Sequence, residues 1–426
     1  MLKNQSKLLN MKKLIFSSIF LFLLSFLNAQ PFQEHFINPL AYDADKSFPI
    51  DLDQDGDLDI VLFDKAREIV YWLEQSEEGI FAQHIITTGV KNLLSVFCVD
   101  IDKDGDLDVL SGSSTSSIGI TWYQNDGNQN FTIQNIELSS VSDIFCIDLD
   151  QDGDMDIVSA SLSSGRIKWF ENDGSQNFSS HTLHSNIGDV ARGVFAADMD
   201  MDGDIDIMSA NRSLSYYFEN DGAQNFSKST LSSDIYYGEE IFAIDMDGDG
   251  DLDPVIASAN SSLSNSKITW HKNMGNGNFT TKNIASSSIG NSNVSVAVGD
   301  LDGDGHNDIV WIGAGSDFLR AKLNDGFGNF SSSYIVDHAE ANSLSIIDLD
   351  GDGHNDIITA IESNNFENIK LWLKNNGDVT FTSIPLADNI PQGRSLFVID
   401  IDNDNDLDLL TDYSLDKGLA LSLIHI

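Results

Sequence analysis

The chain has 426 residues, 67 acidic and 23 basic, giving a formal net charge of −44 and a pI near 4.1. Acidity on this scale excludes a nucleic-acid binder, which needs a basic face. A composition 41% hydrophobic and 9% aromatic excludes wholesale disorder, and six prolines and two cysteines exclude a collagen-like or disulfide-stapled scaffold.

The N-terminus reads as a secretion signal. Lys12 and Lys13 follow Met11, an apolar run extends from Leu14 to Leu27, and Asn28-Ala29-Gln30 comes next. A basic segment, a short apolar segment and a small residue before the break are the parts of a cleavable signal peptide. The run is too short to span a bilayer comfortably. Residues 1–29 are therefore expected to be removed, leaving 30–426 as a single domain with no membrane span.

One nine-residue phrase then recurs eight times, at intervals of 47–55 residues. Stripped down it is D-x-D-x-D-G-x-x-D. The first copy carries Asp51, Asp53, Asp55, Asp57 and Asp59, and the second Asp100, Asp102, Asp104, Asp106 and Asp108. The third has Asp148, Asp150, Asp152, Asp154 and Asp156, the fourth Asp198, Asp200, Asp202, Asp204 and Asp206. The fifth has Asp245, Asp247, Asp249, Asp251 and Asp253. The sixth has Asp300, Asp302, Asp304, His306 and Asp308, the seventh Asp348, Asp350, Asp352, His354 and Asp356. The eighth has Asp400, Asp402, Asp404, Asp406 and Asp408, with Asn405 in place of the glycine.

These copies hold 38 of the 67 acidic residues, so the charge sits in eight tight clusters. Carboxylates so close together repel one another, and a cation among them relieves the repulsion. Oxygen-only ligands favour a hard ion, and six or more oxygens in flexible geometry favour Ca²⁺ over Mg²⁺. Positions 1, 3 and 5 are expected to point side chains into one small loop, with position 9 closing the shell. Position 7 would offer its backbone carbonyl, which leaves its side chain free to be His306 or His354. Glycine at position 6 permits the sharp turn, and Asn405 tolerates the same left-handed conformation. An EF-hand is disfavoured, because position 12 is Leu62, Ser111, Ser159 or Ser209 and the flanks are β-type.

Each loop is flanked by short runs rich in Val, Ile and Phe, such as DIFCID before and MDIVSAS after, which read as buried strands. A third run carries an aromatic and ends in a turn, as in RIKWFENDG. A fourth, such as NFSSHTLHS, reads as an exposed outer strand. Four strands in about 50 residues is the period of a β-propeller blade. The fold class is all-β, a propeller of four-stranded blades, eight rather than seven, with a Ca²⁺ loop in the first hairpin of each. Residues 32–38, FQEHFIN, resemble a fourth strand with no blade before it. Joined to the C-terminal strands from Ser395 onward, they would close the ring and hide both sheet edges. The last run, GLALSLIHI, lacks the usual turn, which keeps truncation at Ile426 open as an alternative.

D-x-D-x-D-G-x-x-D-[IV]-[IV] followed by W-[YF]-x-N-D-G-x-x-N-F resembles the FG-GAP/VCBS repeat, the bacterial relative of integrin α-subunit propeller repeats. The likeness covers about residues 32–426. It implies a secreted or cell-surface bacterial β-propeller with about one Ca²⁺ per blade. Positions 1, 3, 5 and 9 would be side-chain ligands and position 7 a carbonyl ligand. Asn405 and the third strands FLRAKLNDG and EIVYWLEQS depart from the pattern.

No unique catalytic constellation stands out. The nine histidines are scattered, no G-x-S-x-G elbow occurs, and the longest interval adds only SANSSLSNSK. The expected role is a binding or adhesion module with structural metals, monomeric, recognising an extracellular protein or glycan. The alternative is a carbohydrate-active enzyme or lectin on the same scaffold. Cys98 and Cys146 are expected to be packed thiols, not a disulfide. Trp122, Trp169, Trp270 and Trp372 recur at one position, where packing between blades is the expectation and a sugar platform the rival.

Overall fold

In a computed structural model, the structure describes residues 32–38, 44–65, 67–77, 80–186, 189–233, 238–258, 267–275, 277–286, 292–314, 319–332, 334–337, 341–361, 371–385, 396–401, 406–412 and 419–424. The expected signal peptide over 1–29, Asp402, Asp404 and Asn405 of the eighth loop, and most of the inserted SANSSLSNSK lie outside them. Among the described residues the elements are all β-strands, and no helix is long and apolar enough to cross a membrane.

The strands form eight four-stranded antiparallel sheets, one for each copy of the acidic phrase. The third sheet shows the pattern. Its strands run Asp143–Ile147, Asp156–Ala160, Ile167–Asn172 and Phe178–His184, hydrogen-bonded in that order. The first strand alternates, burying Ile144 and Cys146. The second, DIVSA, is buried at every position. A strand covered on both faces needs no polar alternation, which explains the unbroken apolar runs after each loop. The fourth strand leaves Ser179–Thr182 exposed, as an outermost strand should. Within this frame the loop 148–156 joins the first two strands, and the Asn172-Asp173-Gly174 turn joins the last two.

The sheets close into a ring, a β-propeller. Eight hydrophobic clusters each draw side chains from two neighbouring sheets. Leu110 and Trp122 of the second sheet meet Ile144, Cys146 and Ile157 of the third. Ile401 and Leu410 of the last meet Ile60, Tyr71 and Leu73 of the first. The last sheet contains Leu396–Ile399, Asp408–Asp412 and Leu419–Ile424, and its outer strand is the N-terminal Phe32–Asn38. Phe32 pairs with Ile424 and Phe36 with Ala420, so the ring is joined through chain ends as the sequence predicts.

Packing settles two further expectations. Trp72, Trp122, Trp169, Trp270 and Trp372 are all buried, at 1–4% exposure, so they fill the space between sheets and offer no face to a sugar. Cys98 and Cys146 are free and buried, in different clusters, and burial pushes both thiols up from their ordinary pKa. First-strand phenylalanines touch from sheet to sheet: the ring centroids of Phe48–Phe97, Phe97–Phe145 and Phe145–Phe195 are 5.6, 6.1 and 5.4 Å apart. Removing a buried indole should be costly. Trp122→Ala is expected to destabilise the fold by about 3–5 kcal/mol, read as a lower denaturation midpoint with an unchanged slope.

Candidate metal centre

Two left-handed residues coil each of the first seven loops. The glycine at position 6 has φ of 101° at Gly56 and 93° at Gly153, as the sequence leads one to expect. Position 4 is left-handed too, at 58–61° for Gln54, Lys103, Gln151 and Met201, and it is glycine in the fifth to seventh loops. That second turn is invisible in the residue types of the first four copies. The coil brings the glycine N–H onto Oδ2 of position 1 at 2.8–3.1 Å in seven loops.

Position 9 is the junction of three strands. Asp59, Asp108, Asp156, Asp206, Asp253, Asp308, Asp356 and Asp408 are at most 1% exposed. In all eight, Oδ2 accepts the backbone N–H of position 2 at 2.8–3.4 Å. In the first seven, Oδ1 accepts the N–H of the Asn or Gln at or near the end of the third strand at 2.7–2.9 Å. Tyr217 Oη and Trp372 Nε1 also donate to Asp206 and Asp356, at 2.7 and 2.8 Å. Burial still dominates the electrostatics. It lifts Asp59, Asp108 and Asp308 to a pKa of about 7 and Asp156, Asp206 and Asp253 to about 6, against the pull of these hydrogen bonds. Asp356 is raised by the same cause. Burial, together with the neighbouring carboxylate of position 5, also raises Asp53, Asp102 and Asp302 at position 3.

Carboxylates of positions 1, 3 and 9 converge. Asp51, Asp53 and Asp59 each offer an oxygen, and these atoms lie within 4.8 Å of one another. The same holds for Asp100, Asp102 and Asp108, for Asp148, Asp150 and Asp156, for Asp198, Asp200 and Asp206, for Asp245, Asp247 and Asp253, and for two further groups. Several of these oxygens are buried without a hydrogen-bond partner: Oδ1 of Asp51, Asp100, Asp102, Asp148, Asp198, Asp247 and Asp350. A buried acceptor without a donor is costly. Each group could hold a metal ion, and hard oxygen donors of this kind suit a hard cation.

Other phrase positions do different work. The position 5 carboxylates of the first seven loops are exposed and accept the N–H of position 7 at 2.8–3.2 Å. Position 7 side chains turn away from the cluster. A Cβ at Gly127 would strike the Asp106 carboxylate, and one at Gly326 the His306 ring, so these turn glycines make room for them. Asp400, Asp406 and Asp408 are described in the eighth loop, and Asp408 keeps the position 9 contact to Ile401.

The asparagine that opens each N-D-G turn does more than turn the chain. Asn172 Nδ2 donates to Met155 O of its own loop at 3.1 Å and to Ile101 O of the preceding sheet at 2.9 Å. Asn375 spans the same gap to Leu301 O at 2.7 Å. At the ring closure Gln75 takes this place and reaches Ile401 O of the eighth sheet at 2.9 Å. In the sixth and seventh copies Asn307 and Asn355 add a second tie, each donating at 2.8 Å to the position 1 carbonyl of the preceding loop. The recurring W-x-x-N spacing was the available signal, since a plain turn does not demand asparagine at its first place.

Six segments of the chain match the FG-GAP-like repeat, over residues 51–111, 148–209, 198–256, 245–311, 300–359 and 348–411. The chain belongs to the FG-GAP-like repeat family. No curated protein matches it. Solved structures resemble this FG-GAP protein in fold. The V. cholerae biofilm matrix protein Bap1 is 12% identical with a TM-score of 0.54, over 91% of this chain and 88% of that one. BBS1N, from its complex with ARL6DN, is 10% identical with a TM-score of 0.52, over 93% and 97%. An Agrocybe aegerita lectin specific for non-reducing terminal N-acetylglucosamine is 17% identical with a TM-score of 0.47, over 85% and 93%.

Two outcomes follow for this FG-GAP propeller. Asn172→Ala leaves the buried Ile101 carbonyl and the half-buried Met155 carbonyl without this donor and should cost about 1–3 kcal/mol, measured by chemical denaturation. The second concerns pH. The folded state holds position 9 protons more tightly than the unfolded chain. That stability is complete below the ordinary value of 3.8 and is lost as the pH rises through about 6 to 7. In buffer stripped of divalent cations, calorimetry should show the melting temperature falling between about pH 4 and about pH 7.

Proposed function

We propose that this FG-GAP propeller is a calcium-stabilised binding or adhesion module that acts outside the cell. The observation that carries the reading is the set of buried, unpartnered carboxylate oxygens on Asp51, Asp100, Asp148 and Asp198, each beside two further carboxylates of its own loop. In a loop that binds the ion, positions 1, 3 and 9 would hold it, with position 5 and the carbonyl of position 7 completing the shell. Bound Ca²⁺ supplies the positive charge that lets a buried position 9 carboxylate ionise without loss of stability. The protein's own part is to hold first, second and third strands to one carboxylate, so that ion binding and sheet formation are one event.

Calcium in this reading is structural. The sites repeat with the sheets, and a repeated constellation builds a frame, whereas catalysis calls for a single one. The partner would be an extracellular protein or a glycan, met by the propeller as a monomer. The signal-like N-terminus supports export, and the strong negative charge argues against nucleic acid as a partner.

Scanning calorimetry in excess chelator and in excess Ca²⁺ tests the proposal. A site filled at 100 times its Kd adds about 2.7 kcal/mol, so several sites should raise the melting temperature by a wide margin. Elemental analysis should find several Ca²⁺ per chain. Identical melting curves in the two buffers would overturn the reading.

A further inference from the structure

The residue just before the turn asparagine sits over position 3 of the loop, and its charge differs from sheet to sheet. In the fifth sheet it is Lys272, whose ammonium is paired with Asp247 and lies 2.9 Å from Asp249 Oδ2. In the seventh it is Lys374, paired with Asp350 and 3.0 Å from Asp352 Oδ2. The acceptors are positions 3 and 5 in both loops. The position 3 side chains are almost closed off from solvent, at 4% for Asp247 and 9% for Asp350. In the second sheet the same place holds Gln124, which donates to Asp102 Oδ2 without bringing charge. The first, third and fourth sheets have glutamate there.

A second difference sets the fifth, sixth and seventh loops apart from the first four. In the first four loops the unpartnered oxygen includes Oδ1 of position 1. In the fifth, sixth and seventh loops that oxygen accepts an N–H, from Gly248 at 2.7 Å, from Gly303 at 2.7 Å and from Asp352 at 3.1 Å. What separates the two lysine-bearing loops from the sixth is an oxygen left over on Asp247 or Asp350, the carboxylate whose other oxygen the lysine holds. These two loops therefore have their cation built in. An ammonium in contact with two carboxylates of the cluster offsets part of their charge and repels a divalent ion.

We propose that Lys272 and Lys374 take the place of the divalent cation in the fifth and seventh loops, so that calcium is carried by the lysine-free loops. This rests on the calcium reading above. It makes the ring asymmetric. Removal of calcium loosens the first four sheets, while two sheets of the C-terminal half stay clamped by residues of the chain itself.

The test compares the full chain with the K272Q/K374Q variant, which installs the side chain that Gln124 already provides in the second sheet. Calcium per chain is counted by elemental mass spectrometry after desalting into a fixed micromolar free Ca²⁺. The variant is expected to carry two more ions than the wild type, and each single variant one more. In chelator the variant should melt below the wild type, and saturating calcium should remove that deficit. Equal, non-zero counts in all four proteins would overturn the inference and leave the calcium reading standing. No calcium in any of them would overturn both. Lysine labelling of the wild type, read by mass spectrometry, gives an answer that does not depend on the variants folding. Lys272 and Lys374 should stay less reactive than the exposed Lys91 with or without calcium. A calcium-dependent rise in their labelling to the level of Lys91 would show them displaced and would sink the proposal.

Discussion

A carboxylate sealed from water, holding two backbone N–H groups and crowded by other carboxylates, is the constraint on which this propeller turns. Position 9 of the phrase is that group in the first seven sheets. It links the loop to the start of the second strand and the end of the third, so a sheet cannot form without burying it. Hydrogen bonds offset part of the desolvation but bring no net charge, and the pKa values near 6 and 7 record what is left over. The fold is built around a charge deficit, and positive charge has to come from somewhere. In the proposed reading, a divalent ion gathered by positions 1 and 3 would be one source. A lysine on the adjacent strand is the other, and Lys272 and Lys374 supply it within the chain.

The acidic loops and the ring are coupled by asparagine. Asn172, Asn375 and Gln75 each lie at or near the end of a third strand, on the position 9 carboxylate of their own sheet, and reach across to a loop carbonyl of the preceding one. Order in one loop is thereby passed to its neighbour through a single side chain. Together with hydrophobic clusters that each span two sheets, this makes stability a matter of nearest neighbours, as in other repeat architectures. The bond from Gln75 to Ile401 carries the same link through the place where the two ends of the chain meet.

Much of this was legible because the acidic phrase keeps one register through eight copies. Its period, the apolar runs on either side and the W-x-x-N-D-G turns predict the four strands of each sheet. The orphan strand FQEHFIN predicts the joint between the chain ends. The burial of the tryptophans and of Cys98 and Cys146 also agrees with their placement in apolar runs. Less legible was the division of labour within the phrase. Position 4 adopts a left-handed backbone in Gln54, Lys103, Gln151 and Met201, residue types that do not advertise it. Position 5 caps an N–H while positions 1, 3 and 9 converge.

By itself, then, the sequence determined the repeat, the strand order and the acidic clusters, because these follow from periodicity and from chemistry within nine neighbouring residues. Only the tertiary structure decided which carboxylates lose their water, which asparagines tie one sheet to the next, and where a lysine 25 residues from its aspartate comes to rest against it. Such facts depend on what the third strand and the adjoining sheet place over the loop. Desolvation and cross-sheet contact are properties of the assembled ring, and no local pattern of residues encodes them.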